Sequence, residues 1–231
     1  MPAPPTTSAG DDRTRQLLVA GVVILVMGFI AAAVFWTQSA GGSTRPVPTD
    51  PVVTSSGYAL AVGKRSAPVH VLVYEDFQCP TCRRFEMAAR DFLRLDAAVG
   101  KVYLEYRPVA NLNEYSRRAL NAFVGVLDTS PGQVALSYHD LLFDRQPAEQ
   151  GPWPGNAYLV TLAGRAGAVR TTVAGPVKTM KYRSWLTGAN AAARRAHLAG
   201  TPTVVVDGER LSGSSVEQIA LRLERLIAKR G

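Results

Sequence analysis

Cys79 and Cys82 are the only two thiols in the 231-residue chain, in the order Cys79-Pro80-Thr81-Cys82. They stand where an apolar, β-branched run, Val69 to Tyr74, gives way to a helix-like run from Arg83. A dithiol with this spacing closes to a disulfide and reopens under attack by an external thiolate, so the pattern points to thiol–disulfide exchange. At a helix N-terminus Cys79 would face unpaired backbone N–H groups and the positive end of the helix dipole, which stabilise a thiolate. A depressed pKa makes that sulfur a good leaving group and its disulfide a stronger oxidant. Cys82, one turn further on, is expected to be more buried and to resolve the mixed disulfide. Three helical positions bring the two sulfurs within bonding reach. No cysteine remains for a structural framework, so the pair is either a lone bridge or a working dithiol.

The elements that must position these residues follow from periodicity. Val69–Tyr74 has the continuous apolar character of a strand buried on both faces. Pro80–Ala98 carries a helical stripe of Phe85, Ala88, Ala89, Phe92 and Leu93, and Pro80 suits a first turn, where no N–H partner is lost. Lys101–Tyr106 alternates as a strand with Val102, Leu104 and Tyr106 on one face. Tyr58–Val62 is a further short strand. Helical patterns then occupy Glu114–Leu127, Gln133–Phe143, Asn156–Gly167 and Tyr182–Leu198, with a Pro/Gly-rich loop at Gln146–Gly155. Pro202–Val206 and Glu209–Leu211 form a hairpin across Asp207-Gly208. A last helix starts at Ser214/Ser215, where Ser214 and Glu217 have capping-box spacing. Without the middle helices the order is a βαβ unit plus a ββα unit.

Leu17–Trp36 is twenty residues with no charge and no proline. As a helix it would rise about 30 Å, the thickness of a bilayer's hydrocarbon core. It is longer than a signal-peptide apolar region, and its one small-residue match, Ala31-Ala32-Ala33, lies inside the run, which favours an uncleaved anchor. Arg13 and Arg15 precede it closely, whereas Thr37–Thr44 is uncharged. The positive-inside rule therefore assigns residues 1–16 to the cytoplasm and the remainder to the exterior. Residues 37–56, rich in Gly, Ser, Thr and Pro, are expected to be a flexible linker, with the folded domain at 57–231. Charges in the first sixteen residues cancel, so the exterior part holds the net +8. That charge suits either attraction to anionic lipid or acidic client chains, or general solubility. No basic run is interleaved with aromatics, which argues against nucleic acid.

Other chemistries find little support. His70, His139 and His197 are scattered and share no ligand spacing with the cysteines, so neither metal nor organic cofactor is expected. His139 is read as structural, Tyr58 and Tyr138 as core, Trp153 and Trp185 as packing, and Arg83 and Arg84 as solvated. No phosphate loop or Ser/His/Asp grouping is present.

Three segments carry a family resemblance: Tyr74-Glu75-Asp76-Phe77-Gln78-Cys79-Pro80-Thr81-Cys82, Tyr138-His139-Asp140-Leu141-Leu142-Phe143 with Gln146-Pro147, and Gly200-Thr201-Pro202-Thr203-Val204. On these the chain resembles the DsbA-like branch of the thioredoxin superfamily, especially membrane-anchored members of high-GC Gram-positive bacteria. The resemblance spans about residues 57–230. It implies a thioredoxin-like α/β fold with a helical subdomain inserted at about 113–199, behind a single transmembrane helix. It also implies catalytic Cys79 and Cys82, an active-site dipeptide Pro80-Thr81 that tunes the potential, and Thr201 with a cis Pro202 beside the sulfurs to hold a client peptide. Relatives carry a buried acid six residues before the first cysteine; here that residue is Val73. The implied function is an extracytoplasmic, membrane-anchored oxidoreductase that forms disulfides in cysteine-containing secreted or surface proteins and is reoxidised by a quinone-linked membrane partner. The alternatives are a reductase or isomerase of the same fold, or a tethered binding protein whose cysteines form only a bridge.

Overall fold

The computed structural model describes residues 53–55 and 57–230. The predicted membrane helix Leu17–Trp36 lies outside them, and among the described residues no helix is long and apolar enough to cross a membrane.

Strand β3 (Val69–Asp76) is the axis of the fold. It pairs in parallel with β4 (Val102–Val109) and antiparallel with β5 (Thr203–Val206). Around it lie β1 (Val53–Ser55), β2 (Leu60–Val62) and β6 (Glu209–Leu211), giving a six-stranded mixed sheet in the order β1-β2-β4-β3-β5-β6. Helix α1 (Pro80–Ala98) leaves the end of β3 and returns to β4. Five helices separate β4 from β5: α2 (Glu114–Thr129), α3 (Gly132–Asp144), α4 (Asn156–Arg165), α5 (Arg170–Thr179) and α6 (Arg183–Arg195). Helix α7 (Val216–Arg230) closes the chain against α1.

Residue alternation along β3 assigns the two faces. Val69, Val71 and Val73 pack with Phe85, Ala89, Leu93 and Ala97 of α1 in the main core. Leu72 and Tyr74 point the other way, towards Ala193 of α6 and Leu198 beyond it. The β4 residues Val102, Leu104 and Tyr106 are wholly buried on the α1 side, as their alternation predicts. The sheet thus holds the start of α1 at the carboxyl end of a strand covered on both faces.

Several expectations need correction. Val53–Ser55, placed in the flexible linker, pairs with β2 as an edge strand. Ala88, assigned to the apolar stripe of α1, faces solvent, and Glu86 takes the inward position instead. Helix α5 carried no helical signal, because Thr171, Thr172 and Pro176 all disfavour one. Burial of Val173 and Val177 against the neighbouring helices outweighs that local preference. Tyr58, assigned to the core, remains 36% exposed with its ring edge-on to Trp185. The cap of α7 shifts by one residue: Gln218 N–H donates to Ser215 Oγ, and Ser214 donates to Gln218 Oε1.

Leu93 and Leu95 test the orientation of α1. Leu93 is fully buried and Leu95 is 54% exposed. Leu93→Ala is expected to cost about 2–5 kcal/mol in urea unfolding, and Leu95→Ala less than about 0.5 kcal/mol.

Candidate active site

Cys79 is the N-cap residue of α1, with extended backbone angles (φ −78°, ψ 116°). Its sulfur accepts the otherwise unpaired N–H of Cys82 at 3.4 Å. Pro80 follows in the first turn, where its missing donor costs no hydrogen bond. Thr81 Oγ1 lies 2.9 Å from Cys79 Sγ, and the Cys79 thiol reaches the Thr201 carbonyl at 3.4 Å. The Thr201–Pro202 bond is cis. Two segments 122 residues apart in the chain therefore meet at one sulfur.

Both cysteines are free thiols, Cys79 6% and Cys82 1% exposed. Their electrostatics diverge. Hydrogen bonding from the Cys82 thiol draws the Cys79 pKa down; burial opposes it; Thr81, Thr201 and the Cys82 N–H add to it, leaving Cys79 at about 5. Burial raises Cys82 well above the ordinary thiol value, and hydrogen bonding to the Cys79 sulfur adds to the rise. At neutral pH the outer sulfur is thus a thiolate and the inner one a thiol, the division of labour that exchange through a mixed disulfide requires.

The loop before Cys79 is tied at several points. Asp76 is 1% exposed, and its carboxylate accepts from Gln78 N–H (2.9 Å), Asn111 N–H (2.9 Å) and Ser116 Oγ (2.6 and 2.7 Å). Its carbonyl accepts the Cys79 N–H at 2.9 Å. Two glutamines then join this loop to the segment after α3. Gln146 Nε2 donates to the Phe77 and Cys79 carbonyls (3.0 and 3.1 Å), and Gln78 Nε2 donates to the Pro147 and Ala148 carbonyls (3.3 and 3.1 Å). Chemical reactivity gave no signal for these residues; Asp76, Gln78 and Gln146 stood out only within the family segments. Arg83 and Arg84 are exposed, as expected, yet each has a partner: the Phe143 carbonyl at 3.0 Å and Glu217 at 3.7 Å.

A cleft of about 260 Å³ opens beside Thr201, with Leu112, Leu198, Gly200 and Asp76 in its walls. Leu112 is 48% exposed, an apolar surface in the cleft that Thr201 also lines. A larger cavity of about 590 Å³, with Arg117, Arg118 and Arg183 in its wall, contains none of the predicted site residues.

Beneath α1 lies a cluster that the sequence reading treated as ordinary structure. His139 Nε2 is 2.5 Å from Glu75 Oε1, and Glu86 is near both, each residue wholly buried. One ligand atom from each of the three lies within 4.8 Å of the others, a spacing a cation could use. The guanidinium groups of Arg90 and Arg94 on the same helix already supply positive charge, and His139 is bonded directly to Glu75. The arrangement therefore suits proton holding better than metal binding. Burial, then the charge of Glu75, raises Glu86 to about 7. Burial would lower His139, but the Glu75 charge and hydrogen bonds to Asp140 and Glu75 raise it to about 9.

The sequence model of the family described as Thioredoxin matches residues 55–225. The crystal structure of BdbD from Bacillus subtilis superposes with a TM-score of 0.68 at 22% identity, covering 79% of this chain and 98% of that one, a likeness of fold. DsbA from Mycobacterium tuberculosis gives a TM-score of 0.60 at 30% identity, covering 79% of this chain and 94% of that one. A Na(+)/H(+) antiporter of Salinispora arenicola, NhaA 1, is 30% identical over 162 residues, 66% of this chain; the chain spans only 22% of that protein's length.

A Cys79 thiolate held in this way is expected to half-titrate near pH 5 when its ultraviolet absorbance is followed in the reduced protein. Thr81→Val removes one hydrogen bond to the sulfur and should raise that midpoint by about half to one pH unit, the equivalent of roughly 1 kcal/mol. An unchanged midpoint would remove Thr81 from the tuning of the thiol. On its site geometry and the match over residues 55–225, the chain belongs to the thioredoxin family and is a DsbA-like thiol–disulfide oxidoreductase.

Proposed function

We propose that the protein works as an oxidase, forming disulfides in cysteine-containing proteins outside the cytoplasmic membrane, to which Leu17–Trp36 anchors it. The observation that carries this reading is the stabilised Cys79 thiolate. Stabilising the thiolate favours the reduced dithiol, and a pair with a stable reduced form gives up its disulfide readily. The anchor and the outward orientation rest on the length of the apolar run and the arginines before it.

In the reaction a client thiolate attacks Cys79 Sγ of the disulfide. The Cys79–Cys82 bond breaks, and Cys82 leaves as a thiolate and takes up a proton. A second client thiolate then attacks the client sulfur of the mixed disulfide and releases Cys79 as a thiolate. Two electrons pass from the client to the cysteine pair, and the client gains one disulfide. The Thr201 backbone and the cleft beside it offer the client segment strand-like pairing and an apolar wall. Return of the pair to the disulfide needs an oxidant, which we assign to a quinone-linked membrane partner.

Equilibration of the Cys79–Cys82 pair with a glutathione buffer tests the direction. A potential near about −120 mV is expected for an oxidase, and one near about −270 mV would make the protein a reductase. With a peptide containing two cysteines, Cys82→Ser should accumulate the mixed disulfide on Cys79, and Cys79→Ser should form none. Exchange that survives Cys79→Ser would reduce the pair to a structural bridge.

The pH dependence has a definite sign. Cys79 has its folded value, about 5, below its ordinary value of 9.0. The resulting stability of the reduced protein is complete above the unfolded value and is lost as pH falls through the folded one. Urea midpoints of the reduced form, measured against the oxidised form, should therefore rise between pH 5 and 9. A flat difference over that range would contradict the thiolate assignment.

A further inference from the structure

Helix α6 passes two hollows in succession. Leu186 and Asn190 stand in the wall of the cavity of about 590 Å³, and Ala193 and Arg194 stand in the wall of the cleft beside Thr201. The other wall runs on in the same way, from Asn111 and Leu112 of the cleft to Glu114 and Arg117 of the cavity. At the junction Asn190 clasps the backbone of Ala110. Its Oδ1 accepts from the Ala110 N–H (3.0 Å), and its Nδ2 donates to the Ala110 carbonyl (3.1 Å). The two hollows are therefore consecutive stretches of one trough between α6 and residues 109–118, with Thr201 at one end.

Charge in this trough is uneven. Arg117, Arg118 and Arg183 line the cavity against a single acid, Glu114, so three cations less one anion leave two positive charges there. Glu114 is 3.4 Å from Arg118 Nε. Arg118 is held in place: its side chain is 16% exposed, its Nη1 donates to the Pro154 carbonyl at 2.9 Å, and its guanidinium lies over the Tyr115 ring. Arg117 and Arg183 are exposed, and neither forms an ion pair among the described residues. Asn156, in the same wall, buries its Oδ1 without a hydrogen-bond donor among the described residues. A free carboxylate brings acceptors only, whereas a peptide with an acidic side chain also brings backbone N–H donors.

We propose that this cavity is a specificity subsite: it takes an Asp or Glu side chain of the client polypeptide whose cysteine attacks Cys79. This rests on the oxidoreductase reading above and adds which clients the site prefers. The eight positions from Leu186 to Arg194 rise about 12 Å, which an extended chain spans in about four residues. A client strand that pairs at Thr201 and continues along the trough thus brings a side chain about four to six residues from its cysteine to Arg117 and Arg183. Half-buried Arg118 is screened by salt less than a free surface arginine. Clients with an acid at that distance dock in register, and the same cations repel clients with Lys or Arg there.

The test is the second-order rate constant with which peptides containing two cysteines reduce the oxidised protein at low salt. Matched peptides carry two glutamates, two glutamines or two lysines about four to six residues from the cysteines, before or after them. On one of the two sides the wild type should react about five- to tenfold faster with glutamate than with glutamine, as partly exposed charge-assisted contacts allow, and slowest with lysine. The preference should fade by about 500 mM salt. Arg117→Glu/Arg183→Glu should reverse the order in favour of lysine. Arg225→Glu/Lys229→Glu changes the net charge equally on α7 and should keep the wild-type order. Equal rates for the three peptides on both sides, or a preference that both double variants lose alike, overturns the proposal. Should the first double variant fail to fold, Arg117→Gln/Arg183→Gln takes its place and should level the glutamate and glutamine rates; rates that stay apart overturn the proposal. A cavity that binds free glutarate in calorimetry yet gives the peptides equal rates is a small-anion site, and the client assignment falls. Wild-type protein that exchanges with none of the peptides would instead defeat the functional reading itself.

Discussion

One contact organises the site: the unpaired N–H at the head of α1 pointing at the sulfur of Cys79. Every helix leaves such donors open at its first turn. Here a cysteine accepts one of them, so the same group that caps the helix is the nucleophile. Pro80 follows at no loss because its position needs no donor. Burial works against the thiolate; local hydrogen bonds outweigh it at Cys79, whereas at Cys82 the hydrogen bond to the Cys79 sulfur adds to it. The asymmetry of the pair thus comes from depth and one helical turn.

That contact has meaning only if the loop before it stays put. β3 delivers the loop from the middle of the sheet, where β4 and β5 flank it. Asp76 then fastens it to the backbone of Asn111 and the hydroxyl of Ser116, both beyond β4. Burial raises the Asp76 pKa, and hydrogen bonds from Ser116, Gln78 and Asn111 oppose that rise, which is how a buried acid is tolerated. Glu86 shares the burial but not the donors. It is equally buried, lacks hydrogen-bond partners, and is raised towards neutrality. Two buried acids, both raised by burial, thus differ in the number of donors aimed at each.

Much of this was legible in the sequence, for identifiable reasons. A proline after a cysteine at a strand end marks a helix start by a strong steric rule, and α1 begins where that rule puts it. Thr201 and Pro202 were found through the family motif; the Thr201 carbonyl does meet Cys79, and the bond to Pro202 is cis. What escaped was decided by tertiary contact. Val53–Ser55 is too short to show a pattern among prolines and threonines, and becomes a strand only because β2 offers an edge. Helix α5 contradicts its own local preferences at Thr171, Thr172 and Pro176. Glu86 was invisible because a charge in a helix is read as outward, and Ala88 fits either face. The groups beside Glu86 in the interior, Glu75 and His139, lie 11 and 53 residues away in the chain.

The paired glutamines have a consequence for the life of the molecule. Gln78 and Gln146 stitch the cysteine loop to the segment that follows α3, so the redox centre is a seam between the first half of the chain and the helices that come after it. A nascent polypeptide holding only the first half carries two unremarkable sulfhydryls, without the clasp that sets their geometry. Reactivity therefore switches on with maturation. An incompletely assembled copy exchanges disulfides poorly, and the finished one cannot be loosened on either side of the seam without dulling its chemistry.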